Sequence, residues 1–222
     1  SLIGGAFVSV SFLSVFICVH QWQRMLYPIP DGTLSFKPDW LPRAEADEVL
    51  AVLMDSIRWE THRIRMFGRE VDSPRLSCWI GDPGASYVYS RTRFEPRPWP
   101  PALQALRARI DAAAGVAMNS VLANLYRGGA DHMGWHADDE PELGPRPVIA
   151  SLSLGATRRF ALRHRRDGAR KAALDLTHGS LLVMAGDLQA NWQHALTKTT
   201  RPVGPRINLT FRRIFATDAR PG

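Results

Sequence analysis

Pro205-Arg206-Ile207-Asn208-Leu209-Thr210-Phe211-Arg212 is the stretch on which the fold turns. Its period is two: Arg206, Asn208, Thr210 and Arg212 leave one face of an extended segment, and Ile207, Leu209 and Phe211 leave the other. The apolar face asks for a core. The polar face carries two arginines and an asparagine, which is costly in an interior strand unless they meet an anion. The guanidinium fork suits a carboxylate. An edge strand with a wet polar face is the competing reading. Working back along the chain, residues 120–127, 148–154, 159–163 and 180–184 are further short alternating runs with turn residues between them. That spacing predicts an antiparallel sandwich or barrel. Asn124 and Tyr126 share a face of the segment 119–127.

Upstream the pattern changes. Residues 41–57 and 101–114 have apolar stripes at helical spacing, the second with Pro101 near its start and Gly115 as a stop. Residues 32–37 read as a short strand and Met66-Phe67-Gly68 as a hairpin tip. Residues 2–19 carry no charge; a membrane anchor, a trimmed secretory segment and a piece outside the folded domain are the three readings, and the domain is taken to begin near Asp31. The 222 residues hold 28 Lys and Arg against 21 Asp and Glu, a net charge of +7. That balance points to a polyanionic partner, nucleic acid before membrane. Two cysteines, Cys18 and Cys78, exclude a disulfide scaffold and a cysteine-rich zinc module.

The chemistry concentrates in Trp135-His136-Ala137-Asp138-Asp139-Glu140. His136 and Asp138 are two apart, so on an extended segment both project from one face. An imidazole and a carboxylate so placed can occupy two corners of a metal. A distant second histidine would complete the facial triad of non-haem Fe(II) oxygenases. His178 reads as a turn hydrogen-bonder and His164 as a solvated member of a basic run. His132, flanked by glycines, does not sit on a helix. His194, in Trp192-Gln193-His194, is the best candidate.

Taken in order, Pro74-Arg75-Leu76, Tyr87-Val88-Tyr89-Ser90-Arg91, Asn124-Leu125-Tyr126, the run from His136 to Pro141, Ile149 to Ala156, His178 to Leu182, Trp192-Gln193-His194 and Pro205 to Arg212 resemble the AlkB family of Fe(II)/2-oxoglutarate dioxygenases. The wording is most similar to its single-strand-preferring alkylation-repair branch. The resemblance implies an α+β, mainly β fold: a double-stranded β-helix, or jelly roll, with N-terminal helices and a nucleotide-recognition lid. The resemblance covers about Trp59 to Ile214; with residues 1–30 read as an extension outside the fold, the expected layout is helices and lid over 31–118, the catalytic core over 119–216 and a tail at 217–222. The resemblance implies Fe(II) held by His136, Asp138 and His194, with 2-oxoglutarate and O2 as cosubstrates. Arg206, with Tyr126 and Asn208, would take the distal carboxylate of 2-oxoglutarate, and Asn124 and Arg212 the end nearer the metal. The implied reaction hydroxylates an N-methyl carbon of 1-methyladenine or 3-methylcytosine, releasing formaldehyde.

The target base must leave its stack to reach the metal. Tyr87, Tyr89 and Trp79 are candidate lid residues, and Glu140 or Asp139 could complement a cationic lesion. Arg75 and Arg91 could touch phosphate. The run Arg158, Arg159, Arg163, Arg165, Arg166, Arg170 and Lys171 against Asp167 reads as a phosphate track. Met66 and Phe67 are candidates for a hairpin finger that fills the gap of a flipped base. The expected partner is alkylated single-stranded DNA, with duplex DNA or RNA open; the protein is expected to act as a monomer in the cytoplasm or nucleoid, or in the nucleus if eukaryotic, with no obligate protein partner and no membrane unless residues 2–19 anchor it. Two alternatives stand beside this reading: a dioxygenase for methylated RNA or a non-nucleic-acid substrate, and a catalytically silent nucleic-acid-binding module.

Overall fold

The computed structural model describes residues 25–66, 69–89 and 92–215; the side chains of 25, 64–66, 69–70, 87–89 and 92–94 are not among what it describes. In chain order the elements are β1 (Met25–Tyr27), β2 (Thr33–Lys37), α1 (Arg43–Ser56), β3 (Glu60–Met66), β4 (Arg69–Gly81), β5 (Tyr87–Tyr89), β6 (Thr92–Phe94) and α2 (Pro101–Ala114). There follow β7 (Ser120–Tyr126), β8 (Met133–His136), β9 (Ile149–Gly155), β10 (Arg158–His164), β11 (Lys171–Leu176), β12 (Ser180–Ala185), α3 (Leu188–Asn191), β13 (Trp192–Leu196) and β14 (Arg206–Arg212). The major sheet runs β1-β2-β12-β9-β14-β7-β4-β3, the minor sheet β11-β10-β13-β8, and β5 pairs with β6. This is the expected jelly roll.

β14 lies in the middle of the major sheet, between β9 and β7. That removes the edge-strand reading and buries both its faces. Ile207, Leu209 and Phe211 pack in one core with Leu53 of α1 and Leu103, Leu106 and Ile110 of α2. Each such side chain contributes about 1.5–3 kcal/mol of burial. α1 and α2 thus seal the outer face of the sheet. α2 starts on Pro101 and stops at Gly115, whose φ of 72° is the left-handed end a glycine tolerates. On the inner face a second core, including Phe36, Ile149, Phe160, Leu176 and Trp192, joins the two sheets.

Register then gathers the polar residues. Antiparallel partners share a sheet face. Arg206 pairs with Tyr126 and Gly155, Asn208 with Asn124 and Ser153, and Thr210 with Leu122 and Ser151. Gly155 has φ +88°, and a Cβ there would sit 2.4 Å from the Pro205 carbonyl oxygen, so glycine lets the backbone close up where Arg206 enters the sheet.

Several expectations change. The sheet reaches back to Met25, ahead of the boundary read at Asp31. β2 and β4 pair with core strands, so 31–118 is in part continuous with the major sheet. Among the described residues no helix is long and apolar enough to cross a membrane.

Candidate active site

The inner face of the major sheet and the edge of the minor sheet meet over one pocket, lined by residues of both. From the minor sheet come two histidines, because β13 pairs with β8 in a register that sets His194 opposite His136. Their ring centroids are 4.2 Å apart. Asp138 follows directly after β8, and one ligand atom from each of His136, Asp138 and His194 lies within 4.8 Å of the others. Asp138 and His194 are buried; His136 is half-exposed.

Each member is held from behind. His136 Nδ1 is 2.8 Å from the Gly134 carbonyl oxygen, so Nδ1 carries the proton and Nε2 is left as the free electron pair. The His194 ring stacks on Phe160 at 5.2 Å, with Nε2 3.7 Å from Asp138 Oδ2. The Asp138 backbone N–H donates to Gln189 Oε1 at 2.9 Å. Arg212 donates through Nη2 to Asp138 Oδ1. Burial alone would raise the Asp138 carboxyl, but Arg212, His194 and His136 outweigh it and hold it below the ordinary carboxylate range. Burial, with His136 beside it, pushes the His194 imidazole down to about 3, against the pull of Asp138. Two imidazoles and one carboxylate around a common point form a donor set that fits a divalent cation.

Next to it stands a cation of a different kind. Arg206 is 1% exposed. Its Nη2 donates to Ser153 Oγ at 2.9 Å and Asn208 Oδ1 at 2.7 Å, its guanidinium carbon lies 5.2 Å from the Tyr126 ring centroid, and its Nε has no hydrogen-bond partner among the described residues. All of these neighbours are neutral. Burial brings the guanidinium down to about 10, still charged at neutral pH. A buried arginine without a carboxylate partner fits a small acid entering from the pocket.

A match to the 2OG-Fe(II) oxygenase superfamily spans residues 33–212. The human "Alpha-ketoglutarate-dependent dioxygenase alkB homolog 3" is 40% identical over 203 residues, 87% of this chain and 70% of that protein. The human "DNA oxidative demethylase ALKBH2" is 39% identical over 185 residues, 79% of this chain and 71% of that protein. The chain is an AlkB-type member of the 2OG-Fe(II) oxygenase superfamily. The fold agrees with the solved structure of OsALKBH1, at TM-score 0.60 and 18% identity over 85% of this chain and 99% of that one. It agrees also with a Pseudomonas putida prolyl-4-hydroxylase, at TM-score 0.52 and 20% identity over 81% and 92%. The enzymes of this superfamily use Fe(II), 2-oxoglutarate and O2, and the donor set and the buried arginine of this AlkB-type chain fit the first two.

The expected nucleic-acid residues fare unevenly. Trp79 is buried in the inner core, with Nε1 donating to the Ala85 carbonyl at 2.9 Å, so it packs the fold and presents no face to a base. Arg75 points inward too: it is 5% exposed, and its Nε donates to Asn124 Oδ1 at 2.7 Å. It braces a pocket residue and does not reach phosphate. The basic run is largely committed. Arg158 is buried and donates to the carbonyls of Gly128, Gly129, Asp131 and Thr197. Arg159 pairs with Asp175, Arg165 with Asp139 at 2.5 Å, and Arg170 with Asp167 and Asp31. Arg163 stays half-exposed against Gln193 and Trp135. Asp139 is exposed and Glu140 half-buried, at the entry to a 3-10 turn over Pro141–Leu143. Arg91 and Phe67 lie outside the described residues, as do the side chains of Met66, Tyr87 and Tyr89. His164 is not solvated: it is buried, its Nδ1 accepts from the backbone N–H of Arg166 and Asp167, and its ring meets Trp192 edge-on at 5.3 Å. His178 does hold a turn, accepting from Gly155 N–H at 2.8 Å.

Sequence reasoning missed Ser151, Ser153 and Gln189. The serines had a signal, since both recur at period two in Ile149-Ala150-Ser151-Leu152-Ser153-Leu154 and so share the inner face of the sheet, Ser151 lining the pocket and Ser153 bonding Arg206. Gln189 had none.

Proposed function

We propose that this protein is an oxidative demethylase of N-alkylated nucleic-acid bases, with 1-methyladenine and 3-methylcytosine in single-stranded DNA as its substrates and a monomer as its working form. The observation that carries the reading is one pocket holding both the His136, Asp138, His194 cluster and the uncompensated Arg206. The names of the relatives supply the substrate class. When bound, Fe(II) and 2-oxoglutarate supply activation of O2 coupled to loss of CO2, and with it hydroxylation of an otherwise inert methyl carbon. The protein's part is positioning. His136, Asp138 and His194 would hold the metal. Arg206, with Tyr126 and Asn208, would receive the distal carboxylate of 2-oxoglutarate, and Asn124 and Arg212 would orient its other end. Arg212 also keeps Asp138 ionised. Glu140 would face the positive charge of the methylated base, and Asp139 could do so only on leaving its ion pair with Arg165. The hydroxymethyl product, a hemiaminal, collapses to formaldehyde and the repaired base.

The test is turnover of an oligonucleotide carrying one 3-methylcytosine, offered single-stranded, in duplex and as RNA, with Fe(II), 2-oxoglutarate and air. Formaldehyde and succinate appear in equal amounts, fastest from the single strand. Succinate without formaldehyde on every oligonucleotide would assign the chain a different substrate. Failure to bind metal and 2-oxoglutarate would make it a silent binding module.

A further inference from the structure

Strand alternation that turns His136 into the pocket turns Trp135 the other way, onto the outer face of the minor sheet. There the indole is 40% exposed, an unusual position for so large an apolar ring. Arg163 lies over it, its guanidinium carbon 4.4 Å from the ring centroid. Arg163 and Gln193 are direct cross-strand partners, and Gln193 Oε1 takes both Arg163 Nε at 3.1 Å and Nη2 at 2.8 Å. One amide oxygen thus clamps the fork flat, and among the described residues Nη1 has no hydrogen-bond partner. Among the described residues Arg163 faces no carboxylate, unlike Arg159, Arg165 and Arg170 beside it. Trp135 adjoins His136 and Gln193 adjoins His194, so this platform sits directly behind the two histidines. β8 is the last strand of its sheet. A strand passing over that edge can place one base in the pocket and the next on the outer face.

From this placement we infer that Trp135 and Arg163 form a stacking platform for the nucleotide next to the target base, the indole and guanidinium taking the base and Arg163 Nη1 a phosphate oxygen. The inference rests on the demethylase reading and adds a second contact to it. The partner chemistry is single-stranded nucleic acid: an aromatic face beside a cation with no carboxylate partner among the described residues, on a chain of net charge +7, suits a base and its phosphate together.

The test is binding of a labelled single-stranded oligonucleotide with one 3-methylcytosine, by anisotropy, to protein loaded with Mn(II) and 2-oxoglutarate. Trp135→Ala weakens binding by about five- to a hundredfold, the range for loss of one stacked base. Trp135→Phe, which keeps a ring, stays within a few-fold of wild type. Arg163→Gln weakens binding and lowers the slope of log Kd on log salt by about one phosphate contact. Unchanged binding by Trp135→Ala, or a loss by Trp135→Phe as large as that by Trp135→Ala, overturns the inference. If wild type itself neither binds nor demethylates the oligonucleotide, the demethylase reading fails first and this platform fails with it.

Discussion

Replacing Arg206 by Met separates the cost of this site from its use. In the metal-free protein the guanidinium is buried without a countercharge. Its drop from 12.5 to about 10 corresponds to about 3 kcal/mol at 1.36 kcal/mol per unit, stability lost by holding the charge there. Methionine removes that cost and fills much of the volume. It also removes the donors to Ser153 Oγ and Asn208 Oδ1, at about 1 kcal/mol each, although Asn208 Oδ1 keeps Ser151 Oγ at 3.0 Å. The balance predicts a metal-free variant between equal in stability and about 2 kcal/mol more stable, a rise in Tm of up to about 6 °C. Binding moves the opposite way. Two charge-assisted hydrogen bonds to a carboxylate are worth about 3–6 kcal/mol together, so the Kd for 2-oxoglutarate rises by about two to four orders of magnitude. Thermal melting of both proteins, without ligand, with Mn(II) alone and with Mn(II) plus 2-oxoglutarate, reads both effects. Relative to the Mn(II)-loaded protein alone, 2-oxoglutarate at a hundred times the wild-type Kd adds about 2.7 kcal/mol to wild type and at most about 0.4 kcal/mol to the variant. A metal-free Arg206→Met protein that melts well below wild type yet keeps the full 2-oxoglutarate shift would refute the reasoning.

Further perturbations test the supports around that berth. His136→Ala or Asp138→Ala abolishes turnover, and calorimetry with Mn(II) shows binding weakened beyond measurement. Gln189→Leu strands the buried Asp138 N–H and weakens Mn(II) binding by about 10–100-fold, while Gln189→Asn recovers part of it. His194 has a folded value of about 3 against 6.5 unfolded, so between those values the unfolded chain holds the extra proton. Its contribution is present above pH 6.5 and is lost as pH falls toward 3; urea melts of the metal-free protein therefore steepen with acid by up to about 1.4 kcal/mol per pH unit relative to His194→Asn. Gly155→Ala forces a Cβ onto the Pro205 carbonyl at a left-handed φ and costs about 2 kcal/mol in a denaturant melt, with a raised KM for 2-oxoglutarate because Arg206 follows that carbonyl.

Much of the site was legible because the sequence writes it at period two. The 206–212 run showed its two faces directly, and His136 and Asp138 stood on one side of an extended segment. β4 was not legible, because Pro74 within a basic stretch reads as a break. The structure places Pro74 where the β3–β4 pairing shifts register, between the pairs Thr61–Leu76 and Arg63–Asp72, so its missing N–H costs the ladder nothing. Once β4 is seen as a strand, its alternation explains both misread residues: Ser73, Arg75, Ser77 and Trp79 are all buried, and β4 pairs with β7 so that Ser77 meets Asn124. Arg75 and Trp79 face inward with them. Gln189 was beyond reach for another reason, since it meets Asp138 N–H by tertiary approach and leaves no local pattern; the burial of His164 likewise comes from distant Trp192, although its Nδ1 partners, the N–H groups of Arg166 and Asp167, are local.

Charge balance carries the argument one step further than any motif. Among the described residues, three buried arginines, Arg75, Arg206 and Arg212, stand on the inner face of the major sheet, and the pocket there is lined by one carboxylate, Asp138. Arg212 has taken that carboxylate and Arg75 has an amide oxygen. Arg206 has only neutral oxygens and a ring. A protein keeps such an imbalance only where something arrives to correct it. Because the uncorrected charge lies in the same pocket as a donor set for a divalent cation, the arriving group must be an anion able to reach both. A small dicarboxylate meets that requirement at its two ends, which a single phosphate or a chloride cannot do.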